Sequence, residues 1–186
     1  MRAFVSLEPP QAVKKEIDEI QQKLEATGLQ ARWVKPEIVH LTLAFLGSIT
    51  PDKIEPIKKI IQNVATQMNP VKLKLSQLNC FPNPVKPRII FIKLSGELGK
   101  LNALAIKMRK QLKKENVWFD KKPFSAHLTL ARIKKKQNLT NLVKKIKIKQ
   151  VEFTASQITL TKSQLTNSGP VYTQIVTTSL VSSRKK

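Results

Sequence analysis

The sequence predicts a protein of mixed helices and strands, folded as one domain of two pseudo-symmetric lobes over residues 1–181 and ending in a basic tail at 182–186. Three observations carry this expectation. Segments with helical spacing alternate with strand-like segments along the chain, and no shift in composition marks a linker. One tetrapeptide occurs twice, as His40-Leu41-Thr42-Leu43 and His127-Leu128-Thr129-Leu130, each after a stretch that holds an amphipathic helix and a tryptophan, Trp33 or Trp118. Hydrophobic residues make up 41% of the 186 residues and charged residues 25%, which suits one core rather than a disordered chain.

Residues 2–7 read as a short strand, stopped by Pro9-Pro10. Val13, Ile17, Ile20 and Leu24 then recur at helical spacing, which predicts a helix over 10–26 with Gly28 just past its end. Residues 31–34 and 38–46 are strand-like around Lys35-Pro36. Thr50-Pro51 reads as an N-cap and first turn, after which Ile54, Ile57, Ile61, Val64 and Met68 keep helical register. Val71, Leu73 and Leu75 alternate with lysines as a half-buried strand does. A loop follows with Pro82, Pro84 and Pro87, then a strand at 88–94. Leu98, Leu101, Ala105, Met108 and Leu112 mark a third helix. Residues 127–132 read as a strand and 138–146 as a short lysine-rich helix. Two strand-like runs, 151–162 and 171–180, flank the turn signal Asn167-Ser168-Gly169-Pro170.

Charge narrows the class of partner. Thirty-four Lys and Arg against 12 Asp and Glu leave +22, which favours a polyanion such as nucleic acid and leaves few carboxylates for an acidic metal cage. A single cysteine, Cys80, excludes an intramolecular disulfide framework and a multi-cysteine zinc site. It also fits a reducing compartment, and with no signal-peptide core or membrane-length apolar run the expectation is a cytoplasmic protein without a membrane partner. The charge disfavours self-association at low salt, so a monomer is expected.

The repeated tetrapeptide holds both histidines of the chain. From composition, the chance that the second histidine precedes the same three residues is on the order of one in a thousand. On a strand, His40 and Thr42 point to one face and Leu41 and Leu43 to the other; His127 and Thr129 do the same, with Leu128 and Leu130 behind them. If the lobes face each other, two imidazoles and two hydroxyls converge. Two imidazoles suit a general acid and a general base near neutral pH. An in-line phosphodiester displacement needs that pair, one for the attacking oxygen and one for the departing oxygen on the opposite side of phosphorus. The threonine hydroxyls suit the non-bridging oxygens, where charge builds. No metal is expected, because a zinc site needs a further ligand and there is no third histidine. No cofactor is expected either.

With these residues the chain resembles the two-histidine phosphoesterase superfamily, and within it the RNA 2′,3′-cyclic phosphodiesterases, historically called 2′-5′ RNA ligases. The resemblance spans nearly the whole chain. It includes Arg2-Ala3-Phe4-Val5-Ser6-Leu7, Arg32-Trp33-Val34, His40 through Gly47, Pro123 through Arg132, Ser163-Gln164-Leu165 and Gly169-Pro170-Val171-Tyr172. It implies a bilobal α+β fold, with two mostly antiparallel sheets lining a central cleft and helices outside. It implies hydrolysis of a terminal 2′,3′-cyclic phosphate on RNA to a 2′-phosphomonoester, tRNA halves being one candidate substrate. It also implies roles: His40 as proton donor to the leaving 3′ oxygen, His127 as proton acceptor from water, and Thr42 and Thr129 as phosphate holders.

Three further residues are candidate substrate contacts. Arg132 lies five residues after His127, hence on the opposite face of an unbroken strand, and only a bulge or the strand end would turn it to the phosphate. Phe45 reads first as a core residue, with base stacking as the alternative. Tyr172 follows Gly169-Pro170 and is a candidate for the cleft rim. Lysines at 134–136 and around 144–149 read as a solvated face, some of them along an RNA backbone. Two other functions stay open at this level: joining a cyclic end to a 5′-hydroxyl by the reverse reaction, and RNA binding without turnover.

Overall fold

Helical and strand-like spacing resolve into thirteen elements in the computed structural model, which describes residues 1–135, 137–166 and 169–181. In chain order they are β1 (Arg2–Leu7), α1 (Gln11–Glu25), β2 (Ala31–Trp33), β3 (Leu41–Ser48), α2 (Ile54–Ala65), β4 (Val71–Phe81), β5 (Ile89–Gly96), α3 (Leu98–Lys114), β6 (His127–Ile133), α4 (Thr140–Lys145), β7 (Glu152–Ala155), β8 (Gln157–Thr166) and β9 (Gly169–Ser179). The expected turn residues Asn167 and Ser168, Lys136 and the tail at 182–186 lie outside the described residues.

The strands form two sheets, ordered β3-β1-β8-β9 and β2-β6-β5-β4-β7. Every pairing described is antiparallel, the α+β architecture expected. Each sheet carries one copy of the tetrapeptide. β1–α1–β3 and β5–α3–β6 repeat one plan, in which a strand is followed by a helix and then by the histidine strand paired back on it. The next long strand of each half crosses to the other sheet: β4 pairs with β5, and β8 pairs with β1. The two sheets are thus each built from both halves of the chain.

The apolar periodicities are the buried ones. Val13, Ile17, Ile20 and Leu24 of α1 are fully buried, each contributing roughly 1.5–3 kcal/mol by leaving water. Leu41, Leu43, Leu128 and Leu130 lie in the same core, so the leucines of both tetrapeptides hold their strands from behind. Gly28 (φ +77°) follows α1 in the left-handed conformation, where a side chain is strained.

Three expectations are corrected. The run 151–162 is two strands rather than one: β7 ends the second sheet, and after Ser156 the chain enters the first sheet as β8. Strand β3 begins at Leu41 rather than 38, because Pro36–Ile38 makes a 3₁₀ turn and leaves His40 at the strand's threshold. Thr50 does not cap an α-helix. It precedes a 3₁₀ turn at Pro51–Lys53 without capping it, and its hydroxyl bonds the Asp52 carboxylate, holding that group below its usual range. Helix α2 starts at Ile54 and ends at Ala65, before Met68.

Candidate functional site

A cleft of about 560 Å³ opens between the two sheets, and His40, Thr42, His127 and Thr129 all line it. Its lining also includes Phe45, Arg132 and Tyr172, so all seven residues singled out in the sequence face one cavity.

The strand after each histidine carries a bulge, and the two bulges explain how Phe45 and Arg132 come to face the cleft. In β3, Val5 pairs with Ala44 and Ser6 with Thr42, so Leu43 is the extra residue. In β6, Ile90 pairs with Ala131 and Phe91 with Thr129, so Leu130 is the extra residue. One inserted residue reverses the alternation of faces. The residue five places after each histidine therefore returns to the cleft, and these are Phe45 and Arg132. The core expectation for Phe45 is corrected: its side chain is 51% exposed on the cleft wall.

A bulge frees a carbonyl, and here each is satisfied by a side chain reaching from a helix. Arg109 of α3 donates from Nε to Leu43 O at 3.0 Å and from a guanidinium N–H to Lys122 O at 2.7 Å. Gln21 of α1, 5% exposed, donates to Leu130 O at 3.0 Å and Val34 O at 2.7 Å, while Val34 N–H also donates to Leu130 O at 2.8 Å. The helix of one half braces the histidine strand of the other in the first sheet and in the second alike.

The imidazoles are aimed in the same way. Nδ1 of His40 lies 2.8 Å from Ile38 O, and Nδ1 of His127 lies 2.8 Å from Ser125 O. A carbonyl only accepts, so Nδ1 carries the hydrogen in both rings and Nε2 is left for proton transfer. Their aromatic surroundings differ. His40 stacks on Phe4 (centroids 4.3 Å apart, planes 17° apart) and meets Tyr172 edge-on at 5.5 Å. His127 sits edge-on to Phe81 and Phe91 at 5.1 and 5.3 Å. Burial pushes the His40 imidazole down to about 4, against its bond to Ile38 O, and repulsion from His127 adds to the shift. Burial also lowers His127, opposed by its bond to Ser125 O. That His40 feels His127 places the two rings within electrostatic reach.

Cations complete the lining. Arg32 of β2 stands directly across from Arg132 in the register of β2 and β6, and both line the cleft. Like charges opposite each other on a sheet are destabilising unless an anion lies between them. Arg132 is near enough to Tyr172 to favour its phenolate, though burial dominates and raises the phenol. Sequence reasoning did not single out Arg32, Phe4, Phe81, Phe91, Arg109 or Gln21 for the site. Among the described residues no group of three or more His, Cys, Asp or Glu comes together as a metal site. No helix described is long and apolar enough to cross a membrane.

Comparison with known proteins agrees with this geometry. A family model described as LigT like Phosphoesterase matches the chain twice, at residues 7–91 and 92–172. The RNA 2′,3′-cyclic phosphodiesterase of Aquifex aeolicus is 32% identical, covering 94% of this chain and 95% of its own. That of Methanocaldococcus jannaschii is 34% identical, covering 92% and 96%. The crystal structure of TT0787 of Thermus thermophilus is similar with a TM-score of 0.81 at 29% identity, covering 97% of this chain and 98% of that one. Escherichia coli LigT in apo form reaches 0.78 at 20% identity, which speaks to the fold alone.

Proposed function

The chain belongs to the LigT-like phosphoesterase family, and from that premise we propose that residues 1–181 act as one catalytic unit that hydrolyses the 2′,3′-cyclic phosphate at an RNA end to a 2′-phosphomonoester. The observation that carries this reading is the convergence of two carbonyl-anchored imidazoles and two threonines, one pair from each sheet, on a single cleft. The names of full-length relatives at about a third identity support the substrate class.

In the proposed reaction a water oxygen attacks phosphorus and passes a proton to Nε2 of His127. The bond from phosphorus to O3′ breaks, and Nε2 of His40 gives its proton to that oxygen. A 3′-hydroxyl and a 2′-phosphomonoester remain, and solvent returns the proton from His127 to His40. Thr42 and Thr129 donate to the non-bridging oxygens, while Arg32 and Arg132 hold the anion. The roles of His40 and His127 come from the family resemblance. Burial lowers both imidazoles in the free cleft, and the charge of the anionic substrate raises both, which favours a proton on His40 in the complex.

The test is a short RNA ending in a 2′,3′-cyclic phosphate, incubated with chelator present, with the 2′- and 3′-phosphate products resolved. The reading expects the 2′-phosphate alone. An untouched cyclic end, or a 3′-phosphate product, would remove it.

A further inference from the structure

Of the eight large apolar side chains left exposed among the described residues, four line the cleft: Phe45, Trp118, Leu165 and Val171. Trp118 is the largest of them and is 64% exposed. A tryptophan this open forfeits much of the burial that usually keeps the residue inside a protein, so what holds it there matters. It lies in the connection between α3 and β6, which is fixed at several points. Val117 is buried at 4% exposure, and its N–H donates to Leu112 O at 2.8 Å. Asp120 N–H donates to Phe45 O at 2.9 Å, tying the connection to β3. Lys122 O accepts from Arg109. The exposure is therefore not that of a loose loop.

The ring itself is seated on Gly47. A Cβ at that position would lie 3.0 Å from Trp118 Cζ3 and 3.3 Å from Cε3. Gly47 also has φ +60°, a conformation that glycine adopts without strain. A bare backbone on β3 thus supports one part of the indole, and the rest borders the cleft that holds the two histidines.

We propose that Trp118 is a stacking platform for the nucleobase next to the reacting phosphate, and so determines which cyclic phosphates bind well. The proposal rests on the nucleotide reading of the cleft. The arginines and threonines answer the phosphate, and the part of a nucleotide with a flat apolar face is its base. An indole takes any base, because every base offers a π face. A platform of this kind favours an RNA end over a bare sugar phosphate while reading little sequence.

The test combines binding with turnover. The chain has two tryptophans, so emission is followed in wild type and in Trp118→Phe, which locates the signal. Adenosine 2′-monophosphate is titrated, with inorganic phosphate as the probe that has no base. The platform expects a saturable change in emission with the nucleotide, none with phosphate, and loss of that change in Trp118→Phe. On a dinucleotide with a cyclic end, Trp118→Ala raises KM about tenfold with little change in kcat, and Trp118→Phe recovers most of the loss. Truncating so exposed a ring opens no core cavity, so folding does not confuse the result. Emission from Trp118 that ignores the nucleotide, or a KM for Trp118→Ala within twofold of wild type, overturns the proposal. Base-dependent quenching without turnover supports the platform and removes the hydrolase reading instead.

Discussion

The segments that form β3 and β6 share five residues, His-Leu-Thr-Leu-Ala, with His40 just ahead of β3 and His127 opening β6, and bulge at the same leucine, yet the sixth residue is Phe45 in one and Arg132 in the other. Their shared part is aiming machinery: a carbonyl two residues back that fixes the imidazole tautomer, and a bulge that returns the sixth side chain to the cleft. What differs is the environment. His40 packs against both Phe4 and Tyr172 with apolar Phe45 on its strand, and burial holds it near 4. His127 meets its phenylalanines edge-on and shares its strand with a guanidinium. Identical motifs can therefore serve opposite ends of one reaction, because surroundings rather than sequence set proton affinity.

The largest expected effect comes from removing either imidazole. His40→Ala and His127→Ala should each lower kcat/KM on a cyclic RNA end by ~10²–10⁴. One variant near wild type would mean that the copies do not act as a pair. The next concerns acid. Unfolded, an imidazole titrates near 6.5; folded, His40 titrates near 4. Between those values the unfolded chain binds a proton that the folded chain refuses. The stability tied to His40 is thus intact above about pH 6.5 and falls as pH drops toward 4, by up to ~3 kcal/mol. Denaturant titrations of wild type and His40→Asn across that window should converge at low pH; a constant gap would contradict the burial of His40.

How these copies are aimed was only partly legible in the sequence. The histidines and threonines stood out because a four-residue coincidence is improbable and strand alternation puts both on one face. Arg132 pointed the wrong way on an unbroken strand, since the bulge depends on how β6 pairs with β5 and leaves no local signature. Phe45 read as core for the same reason. The exchange of β4 and β8 between sheets, and the split of 151–162 into β7 and β8, are long-range pairings to which periodicity is blind. The bracing side chains looked like ordinary helix residues, and Arg32 becomes notable only when Arg132 stands opposite it.

The braces differ in a way that can be measured. Leu43 O depends on Arg109, whereas Leu130 O also accepts from the Val34 amide. Arg109→Met should cost about 1–3 kcal/mol by leaving a buried carbonyl unpaired, and Gln21→Met nearer ~1 kcal/mol. Equal losses in chemical denaturation would show that the two bulges are not braced as described. Making the sixth residues alike should weaken binding rather than stability. Arg132→Phe should raise KM roughly tenfold and lower the salt dependence of binding by about one charge. An unchanged salt slope would place Arg132 away from the anion.

The most direct test of the division of labour uses a cyclic phosphate with sulfur at the 3′ bridging position, because a thiolate departs without a proton donor. On this substrate His40→Ala should recover most of the wild-type rate while His127→Ala stays impaired. Recovery by His127→Ala instead would reverse the roles, and recovery by neither would contradict acid–base catalysis by this pair.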